Sequence, residues 1–203
     1  MTPQLCLFDG PYCVQDGVTC RIPEGSRRLV GLVVLGGGWL DRRAAAGTLW
    51  PAGSDARAVA NLRSALWRLR GAGVTVLDGD AGAIWLRPGT TVDLRLAMRW
   101  ADRLIDGVEG PADLDIRHRP PVAPRLLPGL ADDWVERERE LVRHHLVHGW
   151  EALVHRLIAV GRPGEAAEAA GVLVDVAPLR ASARRGLRAA WDATRAGRRP
   201  ISV

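Results

Sequence analysis

Lysine is absent from this chain: all 28 basic residues among its 203 are arginine. Such a bias reflects G+C-rich coding, so a single arginine carries little weight as a functional signal. Cysteine is scarce, with Cys6, Cys13 and Cys20 at equal seven-residue intervals. That spacing fits no zinc-ligand pattern, and the three are expected to be buried, reduced thiols. Long apolar runs are missing too, since the longest, Leu29 to Leu35, is far too short to cross a bilayer. The N-terminus has no basic region ahead of an apolar core, so a cytoplasmic location without membrane association is expected. Signatures of catalysis are lacking as well. Gly36-Gly37-Gly38 is not followed by Lys-Ser/Thr and reads as a helix stop and tight turn, not as a phosphate loop. There is no nucleophile elbow, dinucleotide fingerprint or pair of carboxylates at strand ends, so neither an enzyme nor a cofactor is expected.

What is present is a chain with 47% hydrophobic residues, ample for packed cores, and a net charge of +5. The charge is unevenly spread. Between Asp41 and Gly71 six arginines face two aspartates, a local excess of four. A basic balance permits a nucleic-acid partner, and its concentration in one segment says where to look.

That segment centres on DARAVANLRSALWRLRG, Asp55 to Gly71. At about 100° per residue, Ala58, Val59, Leu62, Ala65, Leu66 and Leu69 fall on one side of a helix, as they would against a core. The opposite stripe carries Arg57, Ala60, Asn61, Ser64 and Arg68, with Arg63, Trp67 and Arg70 at its margins. No Glu or Lys supplies the i,i+4 pairs of an ordinary solvated helix. Guanidinium forks suit guanine and phosphate, and an amide suits adenine. The bland alternative is a solvated basic face.

The surroundings favour the first reading. Asp41 can cap a short helix that opens at Arg42-Arg43 and ends before Pro51, and Pro51-Ala52-Gly53-Ser54 has turn composition, with Ser54 or Asp55 as the next cap. Helix, short turn and basic helix make a helix-turn-helix plan. Behind it, Val74 to Leu77 and Ala83 to Arg87 flank Asp78-Gly79-Asp80-Ala81-Gly82, a hairpin in the position of a wing. Ahead of it lie three short strands, Gln4 to Phe8, Tyr12 to Gln15 and Val18 to Ile22, and a helix from about Ser26 to Leu35. From Asp93 onward the pattern is helical. A helix over Asp93–Asp106 has Leu94, Ala97, Met98, Ala101, Leu104 and Ile105 on one face. The proline-rich stretch from Gly110 to Gly129 is an ordered crossing or a flexible strap. A long helix runs from Asp132 or Asp133 to about Val160, followed by helices over Gly164–Val176 and about Leu179–Ala196. Gly161, Ala166 and Pro178 have the spacing of a tetratricopeptide-like hairpin, although Val154 and Leu173 depart from its preferred Gly and Ala. The expected class is therefore mainly α with a small β component. It comprises a winged helix-turn-helix over residues 1–92 and an all-α, tetratricopeptide-like helical domain over 93–203.

One histidine constellation competes. His144, His148, Glu151 and His155 project within about 60° of one another, and paired His at i,i+4 can hold zinc. They border the apolar stripe as polar flanking residues do, and no fourth ligand is identifiable, so no metal is expected.

The runs LDRRAAAGTLW, ANLRSALWRLR and IWLRPGTTVDL resemble the OmpR/PhoB-type winged helix of actinobacterial SARP-type transcriptional activators. The second half, LLPGLADDWVERERELVRHHLVHGWEALVHRLIAVGRPGEAAEAA with VAPLR, resembles the bacterial transcriptional activation domain that follows it. The resemblance implies a regulator that binds promoter repeats in double-stranded DNA, often as a homodimer or side-by-side pair, and helps RNA polymerase engage. The Pro51–Ser54 loop matches the connection that approaches polymerase, and the tip at Gly79 to Gly82 would meet the adjoining minor groove or backbone. Members carry more helical repeat beyond the place where Gly197-Arg198-Arg199-Pro200 ends this one, so the last repeat reads as incomplete. The helical half is then expected to pack on the winged helix or on a second subunit.

Within that frame Arg42, Arg43, Arg63 and Arg70 are expected to neutralise phosphates, and Arg57, Asn61, Ser64 and Arg68 to reach base edges. Trp67 is expected to pack under the hairpin. The rival reading is a protein-interaction module whose winged helix no longer binds DNA. An enzyme, which would need metal at His144 and His148, is remote.

Overall fold

The computed structural model describes residues 2–197; Arg198, Arg199 and Pro200, which figure in the incomplete-repeat expectation, lie outside them. The chain is mainly helical with a small β component, and it divides into two compact units: Met1–Arg95 with Arg125–Glu138, and Leu96–Pro124 with Arg139–Val203.

In the first unit, β1 (Gln4–Cys6), β2 (Tyr12–Gln15) and β3 (Val18–Arg21) form an antiparallel meander, to which β7 (Thr91–Val92) adds parallel to β1. Asp16-Gly17 forms the two-residue β2–β3 turn, with φ of 49° and 79°. Asp and Gly tolerate the two positive φ values that match the twist of a tight hairpin. Helix α1 (Glu24–Leu35) buries Leu29, Val30, Val33 and Val34, and ends where Gly37 and Gly38 adopt φ of 88° and 94°. The backbone N–H of Gly38 donates to the Val33 carbonyl at 2.8 Å, so the triple glycine is a helix stop.

Three further strands form a second sheet, in the order β4 (Trp39–Asp41), β6 (Ala83–Leu86), β5 (Leu77–Gly79). β4 was not expected from the sequence: three residues are too few for alternation to register, and the partner strand lies some forty residues away. Its register sets Leu40 against Ile84 and Asp41 against Ala83. The hairpin is also shorter than expected. Val74 and Val76 are buried but lie outside the strand, and Arg87 lies beyond it. Between the strands run α2 (Arg42–Leu49) and α3 (Asp55–Gly71). The Asp41 carboxylate accepts from the N–H groups of Arg43 and Ala44 at 2.9 and 2.8 Å, and Ser54 Oγ accepts from Arg57 at 3.4 Å. Both are N-caps satisfying donors that have no partner within their helix.

The border between units differs from the expected one. Arg125–Glu138, expected with the helical half, belongs to the first unit because it completes that unit's core. The Leu127 N–H donates to the Leu7 carbonyl at 2.9 Å, Leu126 bridges Phe8, and Arg28 grips the Asp132 carboxylate while donating to the Leu49 carbonyl at 2.8 Å. The Asp93 carboxylate closes the same edge, accepting from Leu7, Phe8 and Leu94. Burial, the largest influence, pushes its pKa up against those hydrogen bonds.

The second unit holds most of α4 (Asp93–Asp106) and α5 (Asp133–Ala159), with α6 (Pro163–Val176) and α7 (Ala181–Gly197). Gly149 lies so close to Ala101 that a Cβ there would sit 2.6 Å from the alanine methyl, so the missing side chain sets the approach of the two helices. Trp100 meets Trp150 edge to face at 6.2 Å; their indoles donate to the carbonyls of Asp113 and Pro120, and Arg119 lies 4.7 Å over the Trp150 ring. The proline-rich crossing contains one 3₁₀ turn, at Pro111–Leu114. Ile105, expected on the apolar face of α4, is instead exposed, while Trp100 is buried in the core. α6 and α7 pack through small residues, with Ala166, Ala169, Ala170, Ala183 and Ala190 buried. Among the described residues no helix is long and apolar enough to cross a membrane.

Candidate nucleic-acid interface

The inward side of α3 is Ala58, Leu62, Ala65, Leu66 and Leu69, packed on α1 and α2. One tie is polar: Ser26 of α1, fully buried, donates its hydroxyl to the Ala65 carbonyl at 2.7 Å. That bond removes an otherwise costly buried hydroxyl and fixes the register of α1 along α3. Val59, expected inside, is only half-buried. The outward side is therefore rotated from the expected one. Its centre runs through Ala56, Ala60, Ser64 and Trp67, all exposed, and Asn61 is half-buried at its flank.

The eight expected contact residues are consequently not one cluster. Arg42, Arg43 and Arg63 come together around an open groove of about 780 Å³, floored by Ala46, Gly47, Ala56 and Val59 and closed by Asp55 and by Asp80-Ala81 of the β5–β6 tip. Arg70 is exposed on α3, outside the residues lining the groove. Arg57, Asn61 and Arg68 lie on the other flank, and Ser64 sits on the central line between the two. Ser64 already uses its hydroxyl, donating to the Ala60 carbonyl at 3.1 Å within the helix. The Arg68 guanidinium lies against α1, where a Cβ on Gly25 would come within 2.8 Å of it. Trp67, expected under the hairpin, is 74% exposed. The indole points away from the core because its helical phase is nearly opposite Leu62 and Leu69.

Arg42 has a task the sequence did not suggest. Its guanidinium donates to the Asp80 carbonyl at 2.9 Å and its backbone N–H donates to the Gly82 carbonyl at 2.9 Å, so it fastens the hairpin tip to the start of α2. The Asp80 carboxylate in turn accepts from the N–H groups of Gly82 and Ala83, both at 2.8 Å. Those bonds, first Ala83 and then Gly82, with a smaller contribution from Arg42, hold its pKa below the ordinary carboxylate value. Asp55 and Asp80 give the groove acceptors beside its three guanidinium groups. The Asp-Gly-Asp-Ala-Gly run was the available signal for Asp80, since Asp accepts from its own turn in such loops. At the back of the unit, Gln15 of β2 donates to the Gly73 carbonyl and accepts from Thr75 N–H, both at 3.1 Å, anchoring the exit from α3.

The other constellations are differently occupied. His144 and His148 lie with ring centroids 4.4 Å apart and planes tilted by 52°, His145 meets Asp102 at 2.7 Å, and the Glu151 carboxylate takes up Arg180 and Ser182. Burial, then Arg180, lowers the His148 pKa. Among the described residues no three His, Cys, Asp or Glu side chains are grouped to hold a metal ion. Cys6 and Cys13 are buried as expected, but Cys20 is half-exposed, directly opposite Cys13 across β2 and β3. Burial, with Cys20 next, pushes the Cys13 thiol up to about 11. No family model matches the chain, and no curated protein sequence matches it.

Proposed function

We propose that the chain is a sequence-specific, double-stranded DNA-binding transcription regulator, an activator that engages promoter repeats and assists RNA polymerase. The observation that carries this reading is the outward surface of the first unit: α3 is exposed along its basic side, and Arg42, Arg43 and Arg63 line one groove with the hairpin tip at its rim. α2, the Pro51–Ser54 turn and α3, followed by β5–β6, are read as a winged helix-turn-helix, with α3 for the major groove and the hairpin as the wing. A groove lined by guanidinium groups complements phosphates, and an exposed helix presenting Arg, Asn and Ser offers base-reading chemistry. α5, α6 and α7 are read as a tetratricopeptide-like activation domain. The exposed turn Pro51–Ser54 is the proposed polymerase contact, and side-by-side binding of two copies is the proposed arrangement on repeats. A cytoplasmic location and the absence of enzymatic activity belong to the same reading.

A second reading, a protein-interaction module without DNA binding, draws on the exposed Leu179 and Trp191 of the second unit. Genomic fragments captured by the full chain and tested by salt-titrated gel shift separate the two. The regulator selects a recurrent sequence and loses affinity steeply as salt rises, because each neutralised phosphate releases counterions. Absence of selection, or binding that ignores salt, sinks the DNA reading.

A further inference from the structure

We infer that Trp67 is a sequence-reading residue, and that it recognises the 5-methyl groups of thymine on the floor of a major groove; this rests on the reading of α3 as the DNA-binding helix. Trp67 is the largest exposed apolar side chain of that helix. A scattered exposed hydrophobic residue is ordinary, and what singles this one out is its placement. At about 100° per residue, Ala56, Ala60, Ser64, Trp67 and Gly71 lie within about 80° of one another. Every neighbour of the indole along this spine is small, and space is open around Gly71. The helix backbone can thus come close to a ligand, with the indole as the one bulky projection.

The borders of the spine state what the ligand is. Arg63 and Arg70 run along one side and Arg57 along the other, all exposed, and no acidic side chain of α3 follows Asp55. Two cationic rails flanking a narrow ridge of small residues complement a duplex groove, whose walls are phosphates and whose floor is base edges. An indole carries one N–H donor and no acceptor, so it cannot make the bidentate pairs by which guanine and adenine are read. The apolar group a major-groove floor offers it is the thymine methyl.

The test uses the full chain and the duplex selected from genomic fragments. Each thymine is replaced singly by deoxyuridine, which removes only the methyl group. The wild type is expected to lose about fourfold in affinity at one or two positions, the equivalent of one buried methyl. Trp67→Ala is expected to bind roughly tenfold more weakly, to be indifferent to the same replacements and to keep the wild-type salt dependence, since no charge is removed. Trp67→Phe should restore part of the uracil sensitivity. Equal sensitivity in the wild type and Trp67→Ala overturns the inference, as does a loss confined to cooperative binding between two copies. If no fragment is selected at all, the DNA reading itself falls and the inference with it, an outcome distinct from selection without methyl dependence.

Discussion

Arg42 and Asp80 are joined across 38 residues of chain by one hydrogen bond, from a guanidinium N–H at the start of α2 to the backbone carbonyl at the tip of the β5–β6 hairpin, 2.9 Å long. The contact gives a short hairpin a fixed position beside α3. It also means that one of the basic groups in the groove is already partly committed to holding its rim.

Arg42→Ala and Arg43→Ala should therefore behave differently. Both remove one positive charge and are expected to reduce the slope of log affinity against log salt by about one if each meets a phosphate. Arg42→Ala alone should also release the hairpin tip, costing about 0.5–1.5 kcal/mol for the lost hydrogen bond. Amide exchange at Gly82 and Ala83 measures that release. Identical exchange in the two variants would refute a clamping role for Arg42.

Asn61 is half-buried on the flank of α3 that also carries the exposed Arg57, and its proposed base contact is open to a direct test. Asn61→Ala is expected to weaken binding to the selected sequence by roughly 1–3 kcal/mol while leaving binding to random DNA unchanged. The ratio of the two affinities is the measurement. A parallel fall on both duplexes would assign Asn61 to the protein's own packing.

Two glycine substitutions should separate rigid from yielding contacts. In Gly149→Ala the new methyl meets Ala101 at 2.6 Å from its Cβ and 2.8 Å from its Cα, so backbone must move, and a loss of roughly 1–3 kcal/mol is expected in chemical denaturation. In Gly25→Ala the nearest atom is the end of the Arg68 side chain, which can swing away. Stability should then change by no more than about 0.5 kcal/mol. Reversal of that order would show that the helices can part more readily than the arginine can move.

Asp113 should make the second unit sensitive to acid. Its carboxylate is bound by Arg103 and by the Gly110 N–H, both at 2.9 Å. Arg103 is the main cause of its lowered pKa, burial opposes it, and Gly110 adds to it. A depressed folded pKa stabilises above the unfolded value, near 4, and this stabilisation disappears as pH falls through the folded value. Asp113→Asn is expected to lose about 1–2 kcal/mol at pH 7, a partly solvent-screened pair. The gap from the wild type should stay constant down to about pH 5 and close below about pH 4. A gap that persists undiminished at pH 2 would mean that the ion pair is not its source.

Local order was legible from residues alone. The caps at Asp41 and Ser54, the stop at Gly36 to Gly38, the hairpin around Asp80 and the extents of α3, α4, α5 and α6 all follow from interactions within a few positions, which spacing reveals. The same short reach sets Cys13 and Cys20 in neighbouring strands from the sequence alone, whereas the half-exposure of Cys20 is not legible there.

Long-range pairing was decided only in three dimensions. β4 exists because Leu40 finds Ile84, and Arg125–Glu138 joins the first unit because Leu127 finds Leu7 and Arg28 finds Asp132. Helical phase ranked the residues around α3, yet it could not say which flank another element would approach. The tertiary structure set α1 beside Arg68 and the hairpin tip beside Arg63, left Trp67 in the open, and so divided one expected basic stripe into a groove and a ridge. Periodicity specifies directions about one axis, and a binding surface depends on where the neighbouring axes lie.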